Sequence, residues 1–70
     1  MTHKVIYIHL VFEMIQHDIS IKELAAASGL SYVSLRRKMR DEAPFLLKEC
    51  IAIKQALKSD MPLETLFEKK

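Results

Sequence analysis

The chain is poor in the residues that break or cross-link a backbone. It holds one cysteine (Cys50), one glycine (Gly29), two prolines (Pro44 and Pro62) and no tryptophan. A single cysteine excludes an internal disulfide and cannot build a cysteine-rich zinc site. Such a chain suits a reducing compartment, so the expected location is the cytoplasm. Its apolar runs are as short as Val5 to Ile8, against the roughly 20 residues of a membrane-spanning helix. Nothing in it reads as the basic, then apolar, then small pattern of a signal peptide. No nucleophile stands with a sequence-placed base, no glycine-rich loop offers to cradle phosphate, and no carboxylate pair suggests acid–base work. The expectation is a protein that is not an enzyme, with no cofactor, metal, small-molecule ligand or membrane partner.

Seventy residues leave room for one domain, residues 1–70, with a modest core. Half the residues are apolar, too many for a disordered chain. Scarce glycine and proline argue for helices with short connections. The net charge of +2 says little about partners, but four of the eleven basic residues are Arg36, Arg37, Lys38 and Arg40.

The central stretch, 21–40, reads as two short helices joined by a tight turn. Ser20 followed three residues later by Glu23 fits a capping box, with Ile19 as a hydrophobic staple. A helix over 21–28 then has Leu24 and Ala27 facing inward and small Ala25 where two helices approach. Gly29 suits the left-handed end of that helix, Leu30 plugs the corner and Ser31 caps a second helix over 32–40. Leu35 and Met39, at i and i+4, face the core and leave Tyr32, Val33, Arg36, Arg37 and Arg40 outside.

Around this unit the pattern predicts three more helices. One spans 4–17, where His9, Glu13, Gln16 and His17 recur at helical spacing as a polar stripe. Its apolar face, from Tyr7 to Ile15, is wider than a small core needs. Another spans 44–58, opened by Pro44, with Leu47, Cys50, Ile51, Ile53 and Leu57 inside. A last short one spans 62–68, opened by Pro62, with Leu63, Leu66 and Phe67 buried. His9, Glu13 and His17 share one face at spacing that can chelate a divalent ion. A solvated stripe is the expected role, and Cys50 reads as a small core residue.

The run Ser20-Ile21-Lys22-Glu23-Leu24-Ala25, Gly29-Leu30-Ser31 and Ser34-Leu35-Arg36-Arg37-Lys38-Met39 resembles the phage Cro- and repressor-type (XRE-like) helix-turn-helix family. Pro44, the stretch Ile53-Lys54-Gln55-Ala56-Leu57 and the stretch Met61 to Phe67 resemble that family's fourth and fifth helices. Two positions depart from the pattern. Ile21 stands where the family often has a phosphate-touching glutamine, and Lys38 where it usually has an aliphatic residue, with Met39 as the core residue one position on.

The resemblance implies an all-α, compact five-helix, lambda-repressor-like helix-turn-helix domain. It also implies a transcriptional regulator of a phage, prophage or other mobile element, working on the nucleoid of a bacterial cell or phage-infected host. Its partner would be double-stranded DNA, whose major groove, about 12 Å wide, admits one helix. By position, Ser31, Tyr32, Val33, Arg36 and Arg37 would reach base edges, with Arg37 placed to fork onto a guanine. Lys22, Ser34, Lys38 and Arg40 would touch the phosphate backbone. Asp41 and Glu42 must then point away or pair with Arg37, Lys38 or Arg40. A homodimer on a pseudo-palindromic operator is expected, pairing through the C-terminal region near 62–67 or through the first helix. Two other readings stand beside this one. An interaction module, an antirepressor or host-factor inhibitor, would use the apolar face of the first helix. An antitoxin would need a neutralising segment for which the chain has little room.

Overall fold

Among the described residues the chain forms five α-helices: α1 (Ile8–Gln16), α2 (Ile21–Ser28), α3 (Tyr32–Met39), α4 (Leu47–Leu57) and α5 (Leu63–Leu66). The computed structural model describes residues 6–69, and no strand occurs among them. Each helix contributes at least one side chain removed from water: Leu10, Leu24, Leu35, Ile53, Leu57 and Leu66. These are branched aliphatics at helical spacing, and their burial is the main force holding the helices together. α2 packs against both α3 and α4, and α5 closes on α4 and α1. The Cα radius of gyration, 11.0 Å, is the ~11 Å expected of a folded domain this long. None of the helices is long and apolar enough to cross a membrane.

The starts of α2 and α3 follow from side-chain caps. Ser20 Oγ accepts the Glu23 amide at 3.1 Å and Glu23 Oε1 accepts the Ser20 amide at 2.9 Å, completing the predicted capping box. Ser31 Oγ accepts the Ser34 amide at 3.1 Å and starts α3.

The helix ends follow one design. α1, α2, α3 and α4 are each followed by a residue in the left-handed region: Asp18 (φ 53°), Gly29 (φ 80°), Asp41 (φ 63°) and Lys58 (φ 54°). One residue further, the amides of Ile19, Leu30, Glu42 and Ser59 donate back to the carbonyls of Met14, Ala25, Arg37 and Lys54. This is the Schellman arrangement. Glycine adopts it freely, whereas a side chain there costs about 1–2 kcal/mol, less for aspartate. Only Gly29 announces its stop in the sequence.

Several expected boundaries move. The first helix, expected over 4–17, begins at Ile8 and ends at Gln16. Positions 4 and 5 of that expectation lie outside the described residues. Residues 6 and 7 are not helical because Tyr7 is drawn into an aromatic cluster. Its ring meets Phe45 edge-on at 5.2 Å and Phe67 at 6.4 Å, and Phe45 meets Phe67 at 5.0 Å. The same cluster displaces the fourth helix, expected over 44–58. Phe45 must turn its ring inward, so Pro44 lies in a loop and α4 starts at Leu47. Glu49 Oε1 accepts the Leu46 amide at 2.9 Å and caps it there. The last helix, expected over 62–68, is the single turn Leu63–Leu66, with Pro62 as its cap.

Some faces differ as well. Ala27 is exposed, and Ala25 beside Leu24 is the buried alanine. Leu47 and Ile51 are exposed rather than inside, and Cys50 is half-buried. Glu13, expected in a solvated stripe, is buried, 3.6 Å from His17.

The left-handed positions make a stability test. Lys58→Gly removes the strain of a long side chain there and raises stability by about 0.5–1 kcal/mol. Gly29→Ala lowers it by about 1 kcal/mol. Beyond its two chain neighbours nothing lies within 4 Å of an added Cβ at Gly29, so the loss is backbone strain. Urea unfolding midpoints read both, and a gain for Gly29→Ala contradicts the account.

Candidate functional site

α3 buries little of itself. Leu35 is its only fully buried residue, and Met39 is half-buried on the same side. At about 100° per residue, the opposite side carries Val33, Arg37 and Arg40 at its centre, with Tyr32 and Arg36 along one edge. All five are exposed. The cap at Ser31 sets the start of this helix and Gly29 sets the corner from which it leaves α2. A short helix, held from one side, thus presents three arginines, a tyrosine and a valine to solvent.

The basic residues of α3 are not equivalent. Arg36 lies over the Tyr32 ring, its guanidinium carbon 5.5 Å from the ring centroid. Arg37 Nε lies 4.0 Å from Glu42 Oε1, a solvent-exposed pair. Arg40 caps the helix and is exposed. The acidic residues that follow are engaged: Glu42 by Arg37, and Asp41 by Lys69 at 3.3 Å.

Lys38 departs from its expected role. Its ammonium is not offered to solvent but gripped by both carboxylate oxygens of Glu49 on α4, each at 2.7 Å. The two side chains are only 14% and 11% exposed. A lysine at a position facing α4 needs a counter-charge once buried, and Glu49 supplies it while also capping α4. The Lys38 ammonium, with the Leu46 amide behind it, holds the Glu49 carboxyl below the usual glutamate range. Lys38 is therefore a strut between α3 and α4.

The other expected contacts sit as follows. Ser31 and Ser34 are tied to each other by the cap, which leaves the Ser31 hydroxyl proton free to donate. Ser34 is half-buried, and Lys22 is exposed on α2. At the start of α2 the amides of Ser20, Glu23 and Leu24 are already bonded. The Glu23 carboxylate stands there too, held below its usual range by the Ser20 amide. That end of α2 offers an anion little beyond the amides of Ile21 and Lys22. Among the described residues no cluster of three histidine, cysteine or acidic side chains is arranged to hold a metal ion. His9 lies 3.6 Å from Glu68, apart from the Glu13–His17 pair.

Sequence reasoning missed Glu49, whose i+3 spacing from Leu46 was the available signal. It also missed the stacking of Arg36 on Tyr32, which the i, i+4 spacing permits. Comparison with protein-family models, with curated proteins and with solved structures yields no match to this chain. The reading of the site therefore rests on its own geometry.

Lys38→Met leaves the Glu49 carboxylate half-satisfied in a largely dry place and costs about 1–3 kcal/mol. Adding Glu49→Gln recovers part of the loss. Folding lowers the Glu49 pKa, so the pair's contribution is complete above the ordinary glutamate range and is lost as pH falls through the lowered value. Lys38→Met flattens that acid-side loss. Unfolding free energies between pH 7 and 3 test both effects, and an unchanged acid limb contradicts the assigned pair.

Proposed function

We propose that the protein is a sequence-specific DNA-binding transcriptional regulator that lays α3 in the major groove and acts by occupying its operator. The observation that carries this is the exposed face of α3, with Val33, Arg36, Arg37 and Arg40 on a helix capped and cornered by Ser31 and Gly29. Guanidinium groups meet phosphates and guanine edges, and valine packs on a thymine methyl. The resemblance to Cro- and repressor-type proteins points the same way. The domain is non-enzymatic in this reading and needs no cofactor.

One such helix reads few base pairs, so two copies bind a pseudo-palindrome with half-sites about one turn apart. The apolar residues of the C-terminal region are largely engaged: Leu66 is in the core and Phe67 in the aromatic cluster. α1 instead leaves Ile8, Phe12 and Ile15 exposed at i, i+4 and i+7 (44%, 54% and 73%). That stripe exposes on the order of 300 Å², below the ~800 Å² a side of a stable interface. Pairing through it is weak in solution and is driven by adjacent half-sites. The same stripe favours the second reading, an interaction module that binds a partner protein through α1.

Selection of bound duplexes from a random pool tests the proposal. A two-fold symmetric consensus is the expected result. Arg40→Ala should lower affinity for all duplexes alike and reduce the salt slope of log K by about 1. Phe12→Ser should leave half-site binding intact and abolish cooperativity between half-sites. Absence of any gel shift with the folded protein at about 100 µM and moderate salt favours the interaction module.

A further inference from the structure

The three arginines of α3 are candidates for one job, the bidentate reading of a guanine. The structure separates them by which part of each guanidinium is engaged. A guanidinium has two faces and a rim of five N–H donors, and guanine O6 and N7 take two donors from that rim. Stacking on an aromatic ring uses a face and leaves the rim intact. An ion pair uses the rim itself.

Arg36 has its guanidinium carbon 5.5 Å from the centroid of the Tyr32 ring, one helical turn before it, and among the described residues its N–H donors meet no acceptor. Arg37 is engaged by its rim, through Nε toward Glu42. Glu42 follows the left-handed residue Asp41, and its amide donates to the Arg37 carbonyl at 2.9 Å. The backbone thus places the root of the Glu42 side chain beside Arg37, and its carboxylate lies 4.0 Å from Arg37 Nε. Releasing Arg37 toward DNA would leave that carboxylate unpaired on the face that meets phosphate. Arg40 stands at the C-terminal end of α3, whereas base edges are reached from the N-terminal end.

We propose that Arg36, shelved on Tyr32, is the residue that reads guanine, and that Arg37 is tethered by Glu42 as a neutralised neighbour. Tyr32 is then a positioning residue. Its ring holds the guanidinium in place before DNA arrives, so fewer side-chain rotations are lost on binding. The DNA recognised is a site with a guanine at one fixed position of each half-site. Glu42 sets the boundary of that position by holding Arg37 back. This inference rests on the DNA-binding reading and sharpens it to a base and a residue pair.

The test is selection from a random duplex pool with the wild-type protein, Arg36→Lys, Arg37→Lys, Tyr32→Phe, Tyr32→Leu and Glu42→Gln. Each variant is first checked for an unchanged thermal transition, which these exposed positions permit. The wild type selects a guanine, and Arg36→Lys relaxes it by about 5- to 150-fold, since lysine has no fork. Tyr32→Phe keeps the preference because the ring face is kept. Tyr32→Leu weakens it at that same position without changing the salt slope. Arg37→Lys leaves it intact, and Glu42→Gln adds a new preference at a neighbouring base as Arg37 is freed.

Relaxation of the guanine by Arg37→Lys and not by Arg36→Lys overturns the assignment while leaving DNA binding standing. So does equal behaviour of Tyr32→Leu and the wild type. Failure of the wild type to select any duplex overturns the DNA-binding reading and this inference with it.

Discussion

Leu35 is the only fully buried residue of α3, and the fold is arranged around that constraint. A helix that must present one face to solvent cannot be held by a broad apolar stripe. Eight residues are also too few to be helical alone. Stability has to come from the ends and from one side. Ser31 supplies the start, and Asp41 in the left-handed region supplies the stop. Met39 and the Lys38–Glu49 pair hold the side toward the core. A buried ion pair contributes little net stability over an apolar contact of the same shape. It does fix geometry, because the ammonium is satisfied only where both carboxylate oxygens reach it. With α4 so tied, the rotation of α3 about its own axis is set, and so is the set of side chains it presents.

The second organising feature joins chain segments that lie far apart in sequence. Tyr7 precedes α1, Phe45 lies in the loop before α4 and Phe67 follows α5. Edge-to-face packing of three rings closes the ends of the chain over that loop. Burial raises the Tyr7 pKa, with the nearby Asp41 carboxylate adding to it. Lys69 holds Asp41 on the same side. The loop after α3 is therefore anchored twice, by a ring and by a charge. Asp41 is thereby drawn toward Lys69, while Glu42 stays beside Arg37.

What could be read from residues alone follows from the range of the interactions. Caps and turns act within four residues, so Ser20, Glu23, Gly29 and Ser31 marked α2 and the start of α3, whose end, expected at 40, falls at Met39. The inward positions Leu24, Leu35, Ile53, Leu57 and Leu66 were legible from helical periodicity. The boundaries of α1 and α4 were not, because Tyr7 and Phe45 are placed by partners up to sixty residues away. Nor was the fate of Lys38, since a lysine among arginines reads as part of a basic face until Glu49 is seen opposite. Three helix stops were invisible because Asp18, Asp41 and Lys58 do what glycine usually does.

The same distinction bears on the candidate interface. Sequence spacing placed Tyr32, Val33, Arg36, Arg37 and Arg40 on one side of a helix, and they lie there. It put Arg37 first as the guanine reader, but rank depends on what each guanidinium already touches, which spacing does not show. Of the four basic residues of the cluster, Lys38 is committed to the fold and Arg37 lies 4.0 Å from Glu42 of its own loop. Arg36 lies over the Tyr32 ring with its donors open, and Arg40 is exposed at the helix end. A modest net charge of +2 is therefore no measure of what α3 offers a phosphate backbone. Asp41 and Glu42 are each balanced by a neighbouring cation, and the field of Arg36 and Arg40 is left uncancelled along the outer face. Local pairing, more than total charge, makes this face positive.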